Sequence, residues 1–151
     1  MTKQSVDHIT QAMQALPFFQ EMSGPEREAL AAHPGAVLSF QTGQKVVRQG
    51  DTDESLFVVL EGQLSVTRNK PPEVFLAQLV PGSIFGEVTL RAERTRSSSV
   101  SVDEPATILK VTRDMLDQLP PRIASRIKDQ VIRLLVRRLD EMNNKLVQFI
   151  R

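Results

Sequence analysis

Ser55-Leu56-Phe57-Val58-Val59-Leu60-Glu61-Gly62-Gln63-Leu64-Ser65-Val66-Thr67-Arg68-Asn69 holds two short apolar runs, 55–60 and 63–69, on either side of Glu61-Gly62. Branched and aromatic side chains suit a pleated surface, and glycine marks the place where such a surface turns. Within Leu64-Ser65-Val66-Thr67 apolar and polar residues alternate, the pattern of a strand with one buried face. The same texture continues outward in both directions: AVLSF at 36–40, QKVVRQ at 44–49, EVFLAQL at 73–79, SSVSV at 98–102 and ATILKV at 106–111. Gly43, Gly50 and Gly82 punctuate these runs, and Asn69-Lys70-Pro71-Pro72 makes another turn. Many short strands at regular spacing predict a sandwich or a barrel closed on itself.

The flanks of this region, 36–112, read differently. Residues 5 to about 33 carry helical periodicity broken at Leu16-Pro17-Phe18-Phe19. Ser23 offers an N-cap, with Pro25 in the first turn and Glu26 at capping-box spacing, and Pro34-Gly35 ends the segment. After Pro120-Pro121 no proline follows. Ile127, Val131, Leu135, Leu139, Met142, Leu146 and Ile150 then recur every three or four residues, and Ile132, Leu134 and Val136 widen the stripe. A helix of this length reaches about 45 Å at the usual rise. That exceeds what a small β-domain covers, so the stripe calls for a partner, most simply the same helix of a second copy. The alternative is a helix folded wholly onto its own domain.

Composition removes several functional classes. A chain of 151 residues with 40% hydrophobic and 25% charged content suits one soluble domain, here 1–151. Without cysteine there is no disulfide framework, thiolate metal site or thiol nucleophile. The two histidines, His8 and His33, lie apart and cannot supply a clustered metal site, so no metal is expected. Ser97-Ser98-Ser99 has no base beside it in sequence, which leaves a hydrolase unsupported. A net charge of +1 gives no global field for nucleic acid. The polar N-terminus lacks a secretory apolar segment, and no run approaches the roughly 20 apolar residues of a membrane span, so the expected location is the cytoplasm.

Ile84 to Val100 carries the chemistry. The segment leaves one predicted strand and re-enters another, so it must turn. Gly86 allows a sharp turn or a close backbone approach. Glu87 to about Arg91 has the length of one helical turn, whose first N–H groups make a small anion site. Arg96 adds a planar, permanently charged fork, and Ser97 and Ser98 add hydroxyls and N–H groups. A carboxylate at Glu87 repels an anion unless it accepts from a hydroxyl or pairs with the arginine. A small molecule bearing both a phosphate and a sugar hydroxyl satisfies the whole set; a surface turn with a Glu–Arg pair satisfies part of it.

The run F-G-E-V-T-L-R-A-E-R-T-R-S-S-S-V, 85–100, resembles the phosphate-binding cassette of the cyclic nucleotide-binding domain family. Upstream, V-V-R-Q-G-D-T-D-E-S-L-F-V-V-L-E-G-Q-L-S-V is similar to that family's strand, Gly-Asp turn and hairpin, and L-P-F-F-Q-E-M-S resembles its N-terminal helical motif. The resemblance implies a mainly β fold with flanking helices: an eight-stranded β-roll, or jelly roll, at 36–112, with N-terminal helices at 1–35 and a hinge and long C-terminal helix at 113–151. It implies that the cassette, 84–100, binds a cyclic nucleotide through Gly86, Glu87, Val88, Thr89, Arg96, Ser97 and Ser98. Glu87 would accept from the ribose 2′-hydroxyl, and Arg96 would pair with the exocyclic phosphate oxygens. Backbone N–H groups near Thr89 and Ser97, with the Ser97 hydroxyl, would complete the cradle. Two positions depart from the family pattern: Thr95 stands where proline is usual, and Thr89 where a smaller residue is usual.

L-L-V-R-R-L-D-E-M-N-N-K-L, 134–146, resembles the dimer helix of the catabolite activator branch. By that match Asn143, beside Met142 and Asn144, reads the base, and an amide has both the donor and the acceptor an adenine edge needs. Cyclic AMP is favoured over cyclic GMP on this resemblance, while Ser97 is compatible with either. The expectation is a sensor that is no enzyme and carries no DNA-binding module. It dimerises through its last helix and alters a surface read by an unknown downstream protein. A degenerate member acting as a nucleotide-independent dimeric adaptor is the alternative.

Overall fold

The computed structural model describes residues 3–52, 55–69, 72–86 and 96–150. Helix α1 (Lys3–Gln14) leads through a 3₁₀ turn (Pro17–Phe19) to α2 (Gly24–Ala32). Six strands follow: β1 (Val37–Phe40), β2 (Lys45–Val47), β3 (Leu56–Asn69), β4 (Glu73–Leu79), β5 (Ile84–Phe85) and β6 (Ser99–Val111). Helices α3 (Arg113–Gln118) and α4 (Pro121–Ile150) close the chain. No helix among the described residues is long and apolar enough to cross a membrane.

The roll expected with eight strands contains six among the described residues. The runs at 55–60 and 63–69 join into the single strand β3, and those at 98–102 and 106–111 join into β6. Gly62 was read as a break but serves as a bulge. The β3–β6 register shifts on both sides of it, and its φ of 97° bends the strand without ending it. A Cβ at Gly62 would stand 2.5 Å from the Pro105 carbonyl oxygen and 2.6 Å from Ala106 Cα. Only glycine lets the two long strands come this close.

Strands β3 and β6 form an antiparallel axis, from Leu56↔Val111 to Thr67↔Ser99. The short strands flank it by halves. β5 lies beside the start of β3 and β4 beside its end, while β1 and β2 line the two ends of β6. The continuous apolar run Leu56-Phe57-Val58-Val59-Leu60 follows from burial on both faces. Leu56, Val58 and Leu60, with Leu109 and Val111 of β6, face the helices and pack with Met13, Phe19, Leu30, Met115 and Ile127. Phe57 and Val59, with Ala106 and Ile108, face the interior of the roll beside Leu64, Phe85 and Val102.

The helical layer is pinned at its ends by polar contacts. Ser23 and Glu26 form the full capping box, with Ser23 N donating to Glu26 Oε1 at 2.9 Å and Glu26 N donating to Ser23 Oγ at 3.2 Å. Glu26 Oε2 also accepts from Arg126 Nε of α4 at 3.3 Å, with Arg122 Nε at 4.0 Å. The Ser23 N–H holds the Glu26 carboxyl below its ordinary value, with Arg126 adding to the effect. Arg133 pairs with Glu21 at 2.8 Å, which pushes the guanidinium pKa up. Ile123, Ala124, Ile127 and Leu134 of α4 are buried, whereas Leu135, Val136, Leu139, Met142, Leu146, Phe149 and Ile150 are exposed.

Candidate phosphate-binding site

Phe57 of β3 pairs with Phe85 of β5, and the two rings stack at 4.9 Å with an interplanar angle of 14°. This aromatic floor delivers the chain to Gly86, which turns with φ 89°. The turn has no room for a side chain. A Cβ there would stand 2.6 Å from both the Arg96 Nη1 atom and the Ser55 carbonyl oxygen. Alanine at this position therefore meets a positive φ and two clashes together.

Arg96 is turned inward and is only 4% exposed. Its Nη2 donates to the Ser55 carbonyl at 2.7 Å and its Nη1 to the Gly86 carbonyl at 3.1 Å. The guanidinium carbon sits 5.5 Å from the centre of the Phe57 ring, within cation–π range. Two neutral carbonyls and a ring face help to fix the orientation of the cation. A buried guanidinium fork held in one geometry suits a bidentate oxyanion better than a mobile surface lysine does.

The backbone of Arg96 is anchored as firmly as its side chain. Its N–H donates to the Asp51 carbonyl at 2.6 Å, and its carbonyl accepts from Gly50 N at 2.8 Å. Asp51 in turn caps its own loop, accepting from Arg48 N at 2.9 Å. Gln49 N donates to Ser99 Oγ at 2.9 Å, and Arg68 Nε donates to the Ser97 carbonyl at 3.3 Å. The Gly-Asp turn of the sequence thus positions the far end of the cassette. From the helical side, Arg138 of α4 donates to the Ile84 carbonyl at 3.3 Å, two residues before Gly86.

Among the residues singled out from sequence, Gly86 and Arg96 come together. Ser98 is half-buried nearby in the chain and Ser97 is exposed. Glu87, Val88, Thr89 and Thr95 lie outside the described residues. Asn143 is exposed on α4, beyond Leu134, the last buried position of that helix. Sequence reasoning passed over the Ser55 carbonyl, the Phe57 ring and Arg138. Ser55 had a signal: a hydroxyl residue opening an apolar run, 1% exposed in the fold. A backbone carbonyl acting as an arginine clamp leaves no trace in residue type, so its role was invisible. Among the described residues no group of three or more His, Cys, Asp or Glu could hold a metal ion.

Known proteins share sequence and fold with this chain. The family model of the cyclic nucleotide-binding domain matches residues 37–120. Glutaminase 1 of Bradyrhizobium diazoefficiens is 32% identical over 146 residues, covering 94% of this chain and 23% of that protein. The CRP-like cAMP-activated global transcriptional regulator of Mycobacterium tuberculosis is 29% identical over 133 residues, covering 84% of this chain and 58% of that one. The Thermus thermophilus catabolite activator protein superposes with a TM-score of 0.72 at 29% identity, over 88% of this chain and 62% of that one. The chain thus spans less than two thirds of each relative. With the family model matched over more than half of its residues, the chain belongs to the cyclic nucleotide-binding domain family.

Proposed function

We propose that this domain is a cyclic AMP sensor that acts by binding rather than by catalysis, in the cytoplasm, as a homodimer joined through α4. The observation that supports it most is the buried Arg96 guanidinium, clamped by the Gly86 carbonyl within the cassette and the Ser55 carbonyl just before β3. In this reading Arg96 takes the exocyclic phosphate oxygens and Glu87 accepts from the ribose 2′-hydroxyl. N–H groups near Val88, Thr89 and Ser97, with the Ser97 and Ser98 hydroxyls, complete the cradle. The name of the Mycobacterium tuberculosis relative, a cAMP-activated regulator, supports the choice of base.

The dimer follows from the exposed face of α4. Ile132, Leu135, Leu139, Met142, Leu146 and Phe149 are all exposed and alternate three and four apart, the spacing of a coiled-coil seam. The seam runs for about 26 Å at the usual helical rise. Asn143 stands next to it and would read the base from the partner's side. Arg138 ties α4 to β5 just ahead of Gly86, so the helix and the cassette share a strand. A ligand touching both stabilises one relative placement of the two, which is a shift in population toward that placement. A downstream protein would read the resulting surface.

Titration calorimetry with cyclic AMP, cyclic GMP and 5′-AMP on wild type and Arg96→Ala tests this reading. A charge-assisted hydrogen bond contributes roughly 1.5–3 kcal/mol, so the variant should bind cyclic AMP at least about tenfold more weakly. Arg96→Lys should also lose affinity, because a point charge does not reproduce the fork. Equal affinities would overturn the assignment. Failure of the wild type to bind any of the three would leave the nucleotide-independent adaptor.

A further inference from the structure

A groove opens on the helical side of the roll where β3 begins and β6 ends. Leu56 and Val111 pair across these two strands and form its floor. The start of α3 makes one wall with Leu116, and α4 makes the other. On α4, Ile127 and Val131 stand one turn apart, as do Lys128 and Ile132, so the helix presents two parallel rows. The first row is buried at Ile127 and half-buried at Val131; the second is exposed and forms the rim. The groove holds about 300 Å³. Its depth is apolar throughout, and its polar groups sit at the edge. The Thr112 hydroxyl accepts from Met115 N at 3.0 Å as the cap of α3. Arg113 is already engaged within the chain. Lys128 is exposed and has no ion pair or side-chain hydrogen bond among the described residues.

We propose that this groove is a ligand site in its own right, and that it takes one short aliphatic chain ending in a carboxylate, a medium-chain fatty-acid anion. Its volume lies at the lower end of the range of about 300–1,000 Å³ for small-molecule sites. A helix with side chains, about 10–12 Å across, does not fit. The aliphatic chain lies on Leu56, Val111 and Ile127 between Leu116 and Val131, and removes from water apolar surface that the empty groove leaves wet. The carboxylate meets the Lys128 ammonium at the rim, where the lysine stem covers the apolar row and its charge stays in solvent. Head and chain are therefore selected separately, the head by charge and the chain by shape. Because no residue of the groove belongs to the cassette, the proposal stands or falls independently of the phosphate reading of Arg96.

The test is calorimetry of the dilute protein with three probes: sodium octanoate, octanol with the chain alone, and sodium acetate with the charge alone. Wild type should bind one octanoate, bind octanol about two- to fivefold more weakly, and bind acetate undetectably at the same concentrations. The preference for octanoate over octanol should vanish at 1 M salt, where the Debye length is about 3 Å. Lys128→Gln should weaken octanoate by the same about two- to fivefold and leave octanol unchanged. Val131→Phe fills the groove and should abolish binding of both. A thermal melt like that of wild type shows that this variant is folded, and if it is not, Lys128→Gln alone decides. No binding of octanoate by wild type would overturn the proposal, and so would equal octanoate affinity in Lys128→Gln. Unaltered binding by a well-folded Val131→Phe would place the chain elsewhere and overturn it too. Octanoate that binds the dilute protein but is displaced as the protein concentration rises would give the groove to a second copy instead.

Discussion

The two halves of α4 have the same apolar rhythm in sequence and opposite surroundings in the fold. From Pro121 to Leu134 one face is buried, with Ile123 and Ile127 in the core cluster and Ala124 and Leu134 also buried, while Ile132 already lies exposed; Glu26 and Glu21 hold Arg126 and Arg133. From Leu135 onward the same spacing meets solvent, ending in Phe149 at 93% exposure. Periodicity reports that a face is apolar, and only the neighbouring elements decide what covers it. The first half belongs to the domain's own stability. The second half is surface that a monomer gains nothing by keeping apolar.

The sharpest way to test that division is a matched pair of truncations. Ile127 is 1% exposed, and Ile127→Ala removes methylenes from a site that cannot collapse freely. It should destabilise the fold by about 2–5 kcal/mol, read from the urea midpoint. Leu139→Ala removes a similar volume from the distal half. Measured at a dilution where dimers have dissociated, its urea midpoint should equal that of wild type. A shared loss of stability would mean that the distal half folds back on its own domain.

The same Leu139→Ala variant should act instead on assembly. Burying a leucine is worth about 1.5–3 kcal/mol, so removing it from each helix of a pair should weaken the dimer by at least about tenfold. Sedimentation equilibrium over a concentration series reads this directly. A wild type that stays monomeric at every concentration would break the comparison, leaving the exposed seam without its second copy.

Much of this architecture was legible from residue patterns, for reasons that can be named. The capping box at Ser23 and Glu26 is local, needing only three residues in order, and it forms as read. The turns at Gly82 and Gly86 are local too. The strand count was not legible, because Gly62 ends a run in sequence yet acts as a bulge once Pro105 and Ala106 lie against it. That distinction depends on a contact more than 40 residues away, which no window around Gly62 contains. Arg96 was found because a fork of charge in a Gly-rich turn points to an anion. Its clamp was missed because the Ser55 and Gly86 partners are carbonyls, which every residue has.

The smallest expected effect concerns acid sensitivity at the clamped end of α4. The Ser23 N–H, with Arg126 behind it, favours the charged Glu26 carboxylate in the fold and lowers its pKa from the ordinary 4.5. A carboxylate depressed by folding stabilises the native state above that ordinary value. The contribution is lost as the pH falls from there through the lowered value, because the unfolded chain takes up the proton first. Glu26→Gln keeps the shape of the capping box and removes this titration. Urea midpoints taken from neutral pH down through the carboxylate range should therefore fall less steeply for Glu26→Gln than for wild type, with the two curves converging at the acid end. Parallel curves would show that folding favours the Glu26 carboxylate no more than the unfolded chain does. The proximal half of α4 would then be held by packing with no help from charge, and the contrast with the distal half would reduce to what each stripe of apolar residues happens to touch.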